Sequence, residues 1–167
     1  MRAIRSLALV VVLVLSACAI SAGNAFIRYG FSWSSNAWLE VQWYLFSAIF
    51  LLAAGYTLKH NGHVRIDVFY GRLSPRRQAL IDLVGNLLFL LPMAALIGWL
   101  SWAGFQESYH IGETSPDAGG LLRWPVKLAI PLGFLLLALQ GVAEAIKRAA
   151  FLVDGVPFEA LQSEEQA

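Results

Sequence analysis

The chain has 167 residues, of which 58% are hydrophobic and only 14% charged, and its mean hydropathy is +0.62. Soluble domains carry about 25% charged residues, and a disordered chain cannot leave this much apolar surface in water, so an integral membrane protein remains. A net charge of +1 offers no electrostatic footprint for nucleic acid, and a single cysteine excludes both an internal disulfide framework and a CxxC metal site.

Four apolar runs follow in chain order, at residues 7–27, 41–58, 83–102 and 128–143. A helix needs about 20 residues to cross roughly 30 Å of hydrocarbon. The pattern predicts an all-α membrane domain over residues 1–152. Its four transmembrane helices are expected at about 6–27, 41–58, 80–102 and 125–146. Residues 153–167 are expected to form a short, flexible, acidic cytoplasmic tail.

The first run is preceded by Arg2 and Arg5 and contains Leu15, Ser16, Ala17 and Cys18, which resembles a lipoprotein cleavage box. Lipidation of Cys18 would leave three spans. The apolar character continues beyond Cys18 through Ile27, however, so Cys18 is read as an ordinary helix residue and lipidation as the alternative.

The third helix is expected to begin at Ser74 and Pro75, an N-cap followed by proline at the first helical position. From Pro75 to Trp102 such a helix is about 42 Å long and should tilt or protrude. Pro92 should kink it. Pro125 is expected to start the fourth helix, with Lys127 snorkelling to the interface and Pro131 bending the second turn.

Lys and Arg set the orientation. Nine lie at the N-terminus, in the second loop and after the fourth run; three (Arg28, Arg123, Lys127) lie on the other side. The positive-inside rule then places both termini in the cytoplasm and loops one and three outside. All six tryptophans (Trp33, Trp38, Trp43, Trp99, Trp102, Trp124) fall at or near the outward ends, as an interfacial belt and a possible docking surface.

Ionisable residues are absent from the middle of each run; Glu40, Asp82, Glu107, Lys127 and Glu144 sit near the ends. Ion and proton paths need such groups, so the chain alone is a poor pump or charged pore. His60, His63 and His110 fall in predicted loops, which argues against a haem anchor. The alternation of Val64, Ile66 and Val68 with Arg65 and Asp67 reads as an amphipathic surface stretch. No nucleophile, zinc-protease or phosphate-loop motif is present, and no enzymatic activity, catalytic residue, cofactor or metal is expected. Ala19 and Gly23, Ala94 and Gly98, and Gly141 and Ala145 are spaced for close helix packing.

Five stretches together resemble one family: NAFIRY at 24–29, WLE at 38–40, GHVRID at 62–67, LSP at 73–75 and GETSPDAGGLLRWPVKLAIPLGF at 112–134. The chain resembles the small membrane subunit of tripartite ATP-independent periplasmic (TRAP) transporters over about residues 5–150. That resemblance implies a scaffold subunit of the bacterial inner membrane with no ATPase. It implies a large transmembrane subunit as partner, a periplasmic solute-binding receptor, membrane lipid as surroundings, and sodium-driven uptake of organic acids. The sodium and substrate sites would lie in the large subunit. A stand-alone four-helix carrier or channel and a redox-complex anchor are the alternatives.

Arg28 and Glu40 match the family's Arg-Tyr and Trp-x-Glu positions. They are read either as solvated charges or as a pair that fixes the first hairpin or contacts a partner. Glu113, Asp117, Arg123 and Trp124 lie in a third loop. Its Pro116, Gly119 and Gly120 suit a plain connector, and its mix of charges and an aromatic suits partner contact.

Overall fold

The computed structural model describes residues 2–31, 35–59 and 70–154, and the side chains of the first helix from Val11 on, Leu13 excepted. Four helices account for nearly all of these: α1 (Arg2–Phe31), α2 (Asn36–Lys59), α3 (Pro75–His110) and α4 (Trp124–Asp154). Among the described residues the one β pairing is an isolated antiparallel bridge between Thr114 and Leu122. Each apolar run lies within one helix, because hydrocarbon offers no partners for backbone N–H and C=O groups and a helix satisfies them internally. Helices α2, α3 and α4 are long and apolar enough to cross a membrane.

All four helices outrun the apolar windows. Helix α4 continues past Ala143 to Asp154, and α3 past Trp102 to His110. His110 is therefore the last residue of a helix rather than a loop residue. His60, His63, Trp33, the stretch from Val64 to Val68 and the tail from residue 155 lie outside the described residues.

Ser74 and Pro75 take their expected places at the start of α3, but the Ser74 hydroxyl makes no capping bond. The Gln78 side chain ties down the turn ahead of the helix, donating from Nε2 to the carbonyls of Tyr70 at 2.9 Å and Leu73 at 3.1 Å. Ahead of Pro92, α3 widens into a π-helical turn at Asn86–Leu90, where the Leu91 N–H donates to the Asn86 carbonyl. Proline brings no N–H and its ring crowds the carbonyl four residues back. A wider turn is one way a helix absorbs that defect. Helix α4 starts at Trp124 with Pro125 behind it and carries Pro131 within it.

Two compact units divide the chain. One is Met1–Ala53 with Leu100–Gly133. In it α2 and α4 meet at a glycine: a Cβ on Gly133 would stand 2.7 Å from the Leu51 Cβ and 2.9 Å from its carbonyl oxygen. On α1, Ala17 and Asn24 are buried while Cys18 and Ala19 are exposed, and nothing lies within 4 Å of a Cβ built on Gly23. The Ala19 and Gly23 pair thus makes no close helix contact among the described residues.

The other unit is Ala54–Trp99 with Phe134–Ala167. Here the remaining two small-residue pairs pack. Ala94 and Ala145 are buried. Gly98 faces the Phe134 Cβ, and Gly141 lies under Leu90 and the Asn86 amide. Asn86 Nδ2 donates to the Gly141 carbonyl at 2.6 Å, tying α3 to α4. A second tie joins the same helices, with Asp82 accepting from the Tyr70 hydroxyl at 2.7 Å and pairing with Arg148 at 3.0 Å. Glu144, only 7% exposed, takes a bond from Gln140 at 3.1 Å and pairs with Lys147 at 3.6 Å. A cleft of about 690 Å³ runs beside these groups, lined further along by Leu58, Phe89, Met93 and Leu137.

Candidate functional site

The residues singled out in the third loop are brought together with Glu40. The loop begins where α3 stops. Gly112 takes a positive φ of 60°, its N–H donates to the Tyr109 carbonyl, and the Glu113 N–H reaches back to the Ser108 carbonyl at 3.0 Å. This is the glycine-terminated helix ending in which two spare carbonyls are satisfied. Two further backbone bonds close the loop on itself, from Arg123 N–H to the Glu113 carbonyl at 2.8 Å and from Ser115 N–H to the Leu121 carbonyl at 2.9 Å. At the tip, Gly120 N–H donates to the Asp117 carbonyl across a turn whose third residue, Gly119, has φ 74°. Glycine is favoured there because a side chain is strained at that angle.

The first turns of α2 hold this loop from one side. Asn36, Glu40 and Tyr44 recur every fourth residue and so share one face of the helix. Asn36 Nδ2 donates to the Ala118 carbonyl at 3.1 Å, and the Tyr44 hydroxyl to the Leu122 carbonyl at 2.7 Å. Between them the Glu40 carboxylate accepts the Leu121 N–H at 2.6 Å. The Ser115 hydroxyl lies close by, and Arg123 adds its field. Glu40 is 8% exposed, and these partners offset the cost of burying its charge. Gly120 makes the approach possible, since a Cβ on it would fall 2.4 Å from the Ser115 Cβ and 2.8 Å from Glu40 Oε1.

The other side is held by α4. Lys127 Nζ forms an ion pair with the Glu113 carboxylate, so Lys127 is committed to the loop rather than snorkelling alone. That ion pair, and to a lesser degree the nearby Ser108 hydroxyl, holds the Glu113 carboxyl below its ordinary value of 4.5. The Trp124 ring stands edge-on to Tyr109 at 5.5 Å and 87°. It is half-buried, and it joins the start of α4 to the end of α3.

Asp117 and Arg123 are exposed on the loop, with Thr114, Pro116 and Leu122. Arg28 is exposed on the last turn of α1, and Glu40 is engaged by loop three. Sequence reading missed Asn36, Tyr44 and Ser115. The signal for Asn36 and Tyr44 was the polar stripe at every fourth position on the opening turns of an apolar helix. Among the described residues no group of three His, Cys, Asp or Glu side chains could hold a metal ion. The arrangement is that of a stiffened loop with two charges, Asp117 and Arg123, exposed on it.

The family described as Tripartite ATP-independent periplasmic transporters, DctQ component, matches residues 17–151. A TRAP transporter small permease protein of Haemophilus influenzae is 28% identical over 96 residues. That match covers 58% of this chain and 58% of the relative, so the chain spans little more than half the relative's length. With three helices able to cross a membrane and a family match over most of its length, the chain belongs to the DctQ component of the TRAP transporters, as a multi-pass small subunit of the inner membrane.

Proposed function

We propose that this small subunit is the scaffold of a sodium-driven, receptor-dependent importer of organic acids. Helix α1 supplies a fourth span, both termini face the cytoplasm, and loop three faces the periplasm, consistent with the nine-to-three division of Lys and Arg. The bundle packs against a large transport subunit that carries the ion and substrate paths. Loop three, with Asp117 and Arg123 exposed on it, helps dock the periplasmic solute receptor. Glu113 and Trp124 fix the loop to its helices, and Arg28 adds a charge on the same side.

The observation that carries this reading is the loop itself. Thirteen residues between α3 and α4 are tied down by side chains from α2 and α4. A mere connector has no need of a carboxylate buried beneath it, whereas a docking loop gains affinity from being ordered in advance. The role is one of transport, not of enzymatic turnover.

Reconstitution tests it. Vesicles holding this chain alone should take up none of a panel of labelled carboxylates under an inward sodium gradient. Vesicles that also hold the large subunit should take up one of them when receptor is added outside. Uptake by the chain alone would refute the scaffold role.

A further inference from the structure

We infer that Glu40 is a positioning residue for receptor docking, setting through Ser115, Gly120 and Leu121 the shape in which loop three is presented. The inference rests on the docking reading above and adds to it the residue on which recognition depends from beneath.

Three observations point the same way. Glu40 is too buried to be the contact itself, because the loop lies over it and Gly120 has no side chain to hold the two apart. Its carboxylate accepts the Leu121 N–H, and the loop passes so close that a Cβ on Gly120 would stand 2.8 Å from both Glu40 Oε1 and the Ser115 hydroxyl oxygen. It thereby anchors the returning limb of the loop at the level of its backbone bond with Ser115 on the outgoing limb. The neighbouring bonds from Asn36 and Tyr44 fall on Ala118 and Leu122. Helix α2 therefore grips the loop along one side, while Pro116, Asp117 and Arg123 remain exposed. Charged groups recognise a partner well only when their spacing is held, since ordering them on contact costs affinity. A single carboxylate bonded where the two limbs pair holds that spacing.

The test measures receptor binding directly. Vesicles containing this chain and its large subunit are sedimented with increasing concentrations of the labelled, purified receptor of the same transport system. Glu40→Ala should raise the half-saturating receptor concentration about tenfold, the scale of one lost charge-assisted hydrogen bond. Copurification of the two membrane subunits should be unchanged. Glu40→Gln keeps an acceptor for the Leu121 N–H and should stay within about threefold of the wild type. Asp117→Lys and Arg123→Glu, on the exposed side, should shift the half-saturation as well. If those two shift it and Glu40→Ala does not, the positioning inference falls and docking stands. If none of the four shifts it, docking and positioning fall together. If Glu40→Ala abolishes copurification, Glu40 is an assembly residue and the inference is overturned.

Discussion

The Glu40 carboxylate accepts the Leu121 backbone N–H at 2.6 Å, joining positions 81 apart in the chain. Around this bond a loop between two helices becomes a held structure, and its consequences are measurable in the isolated subunit.

Gly120→Ala should disrupt the loop. The added Cβ would stand 2.4 Å from the Ser115 Cβ and 2.8 Å from Glu40 Oε1, and relieving such overpacking costs about 1–3 kcal/mol. Amide exchange in loop three should quicken, most of all at Leu121. Wild-type exchange at Leu121 in this variant would mean that Glu40 does not hold the loop.

A pair of helix glycines should separate cleanly. Gly133→Ala places a Cβ 2.7 Å from the Leu51 Cβ and should lower the thermal midpoint in detergent, by an overpacking cost of about 1–3 kcal/mol. Gly23→Ala meets open space and should leave the isolated subunit unchanged or slightly more stable. Equal effects from the two would contradict the close approach of α2 and α4.

The Glu113 tie should be acid-sensitive. Lys127 chiefly, then Ser108, lower the Glu113 carboxyl below 4.5 in the folded protein. A group with a depressed folded value favours folding above its unfolded value, and that contribution disappears as pH falls through the folded value. The thermal midpoint of wild type should therefore exceed that of Glu113→Gln at neutral pH and converge on it below about pH 4. A difference that persisted undiminished at pH 3 would show that the carboxylate's charge is not what matters.

The proposed topology rests on the charge division of nine to three. An alkaline phosphatase fusion after Arg148 should be inactive and a cytoplasmic fluorescent reporter there active, while phosphatase inserted at Asp117 should be active. The reverse pattern would invert the orientation and remove loop three from the periplasm.

The four helices and the membrane class were legible because their cause is local. An apolar run long enough to cross hydrocarbon must satisfy its backbone internally, and proline marked the start of α3 and of α4. Helix ends were less legible: α3 runs on to His110 because its stop is a glycine ending at Gly112, beyond the apolar window. At Pro92 sequence gave the place of a disturbance, and only the folded helix decided that it would take the form of a π-helical turn.

Composition, hydropathy and charge order thus determined by themselves that the chain is helical and belongs in a membrane. Recurring small residues marked helix faces that could pack. Tertiary structure alone decided which of those faces did so: Ala94 with Gly98 and Gly141 with Ala145 are used, and Ala19 with Gly23 is left open. It also decided that Glu40 answers to Leu121 and Ser115, and Lys127 to Glu113. Hydrophobic burial follows from each segment's own content, whereas a hydrogen bond depends on positions set to within tenths of an ångström by distant parts of the chain.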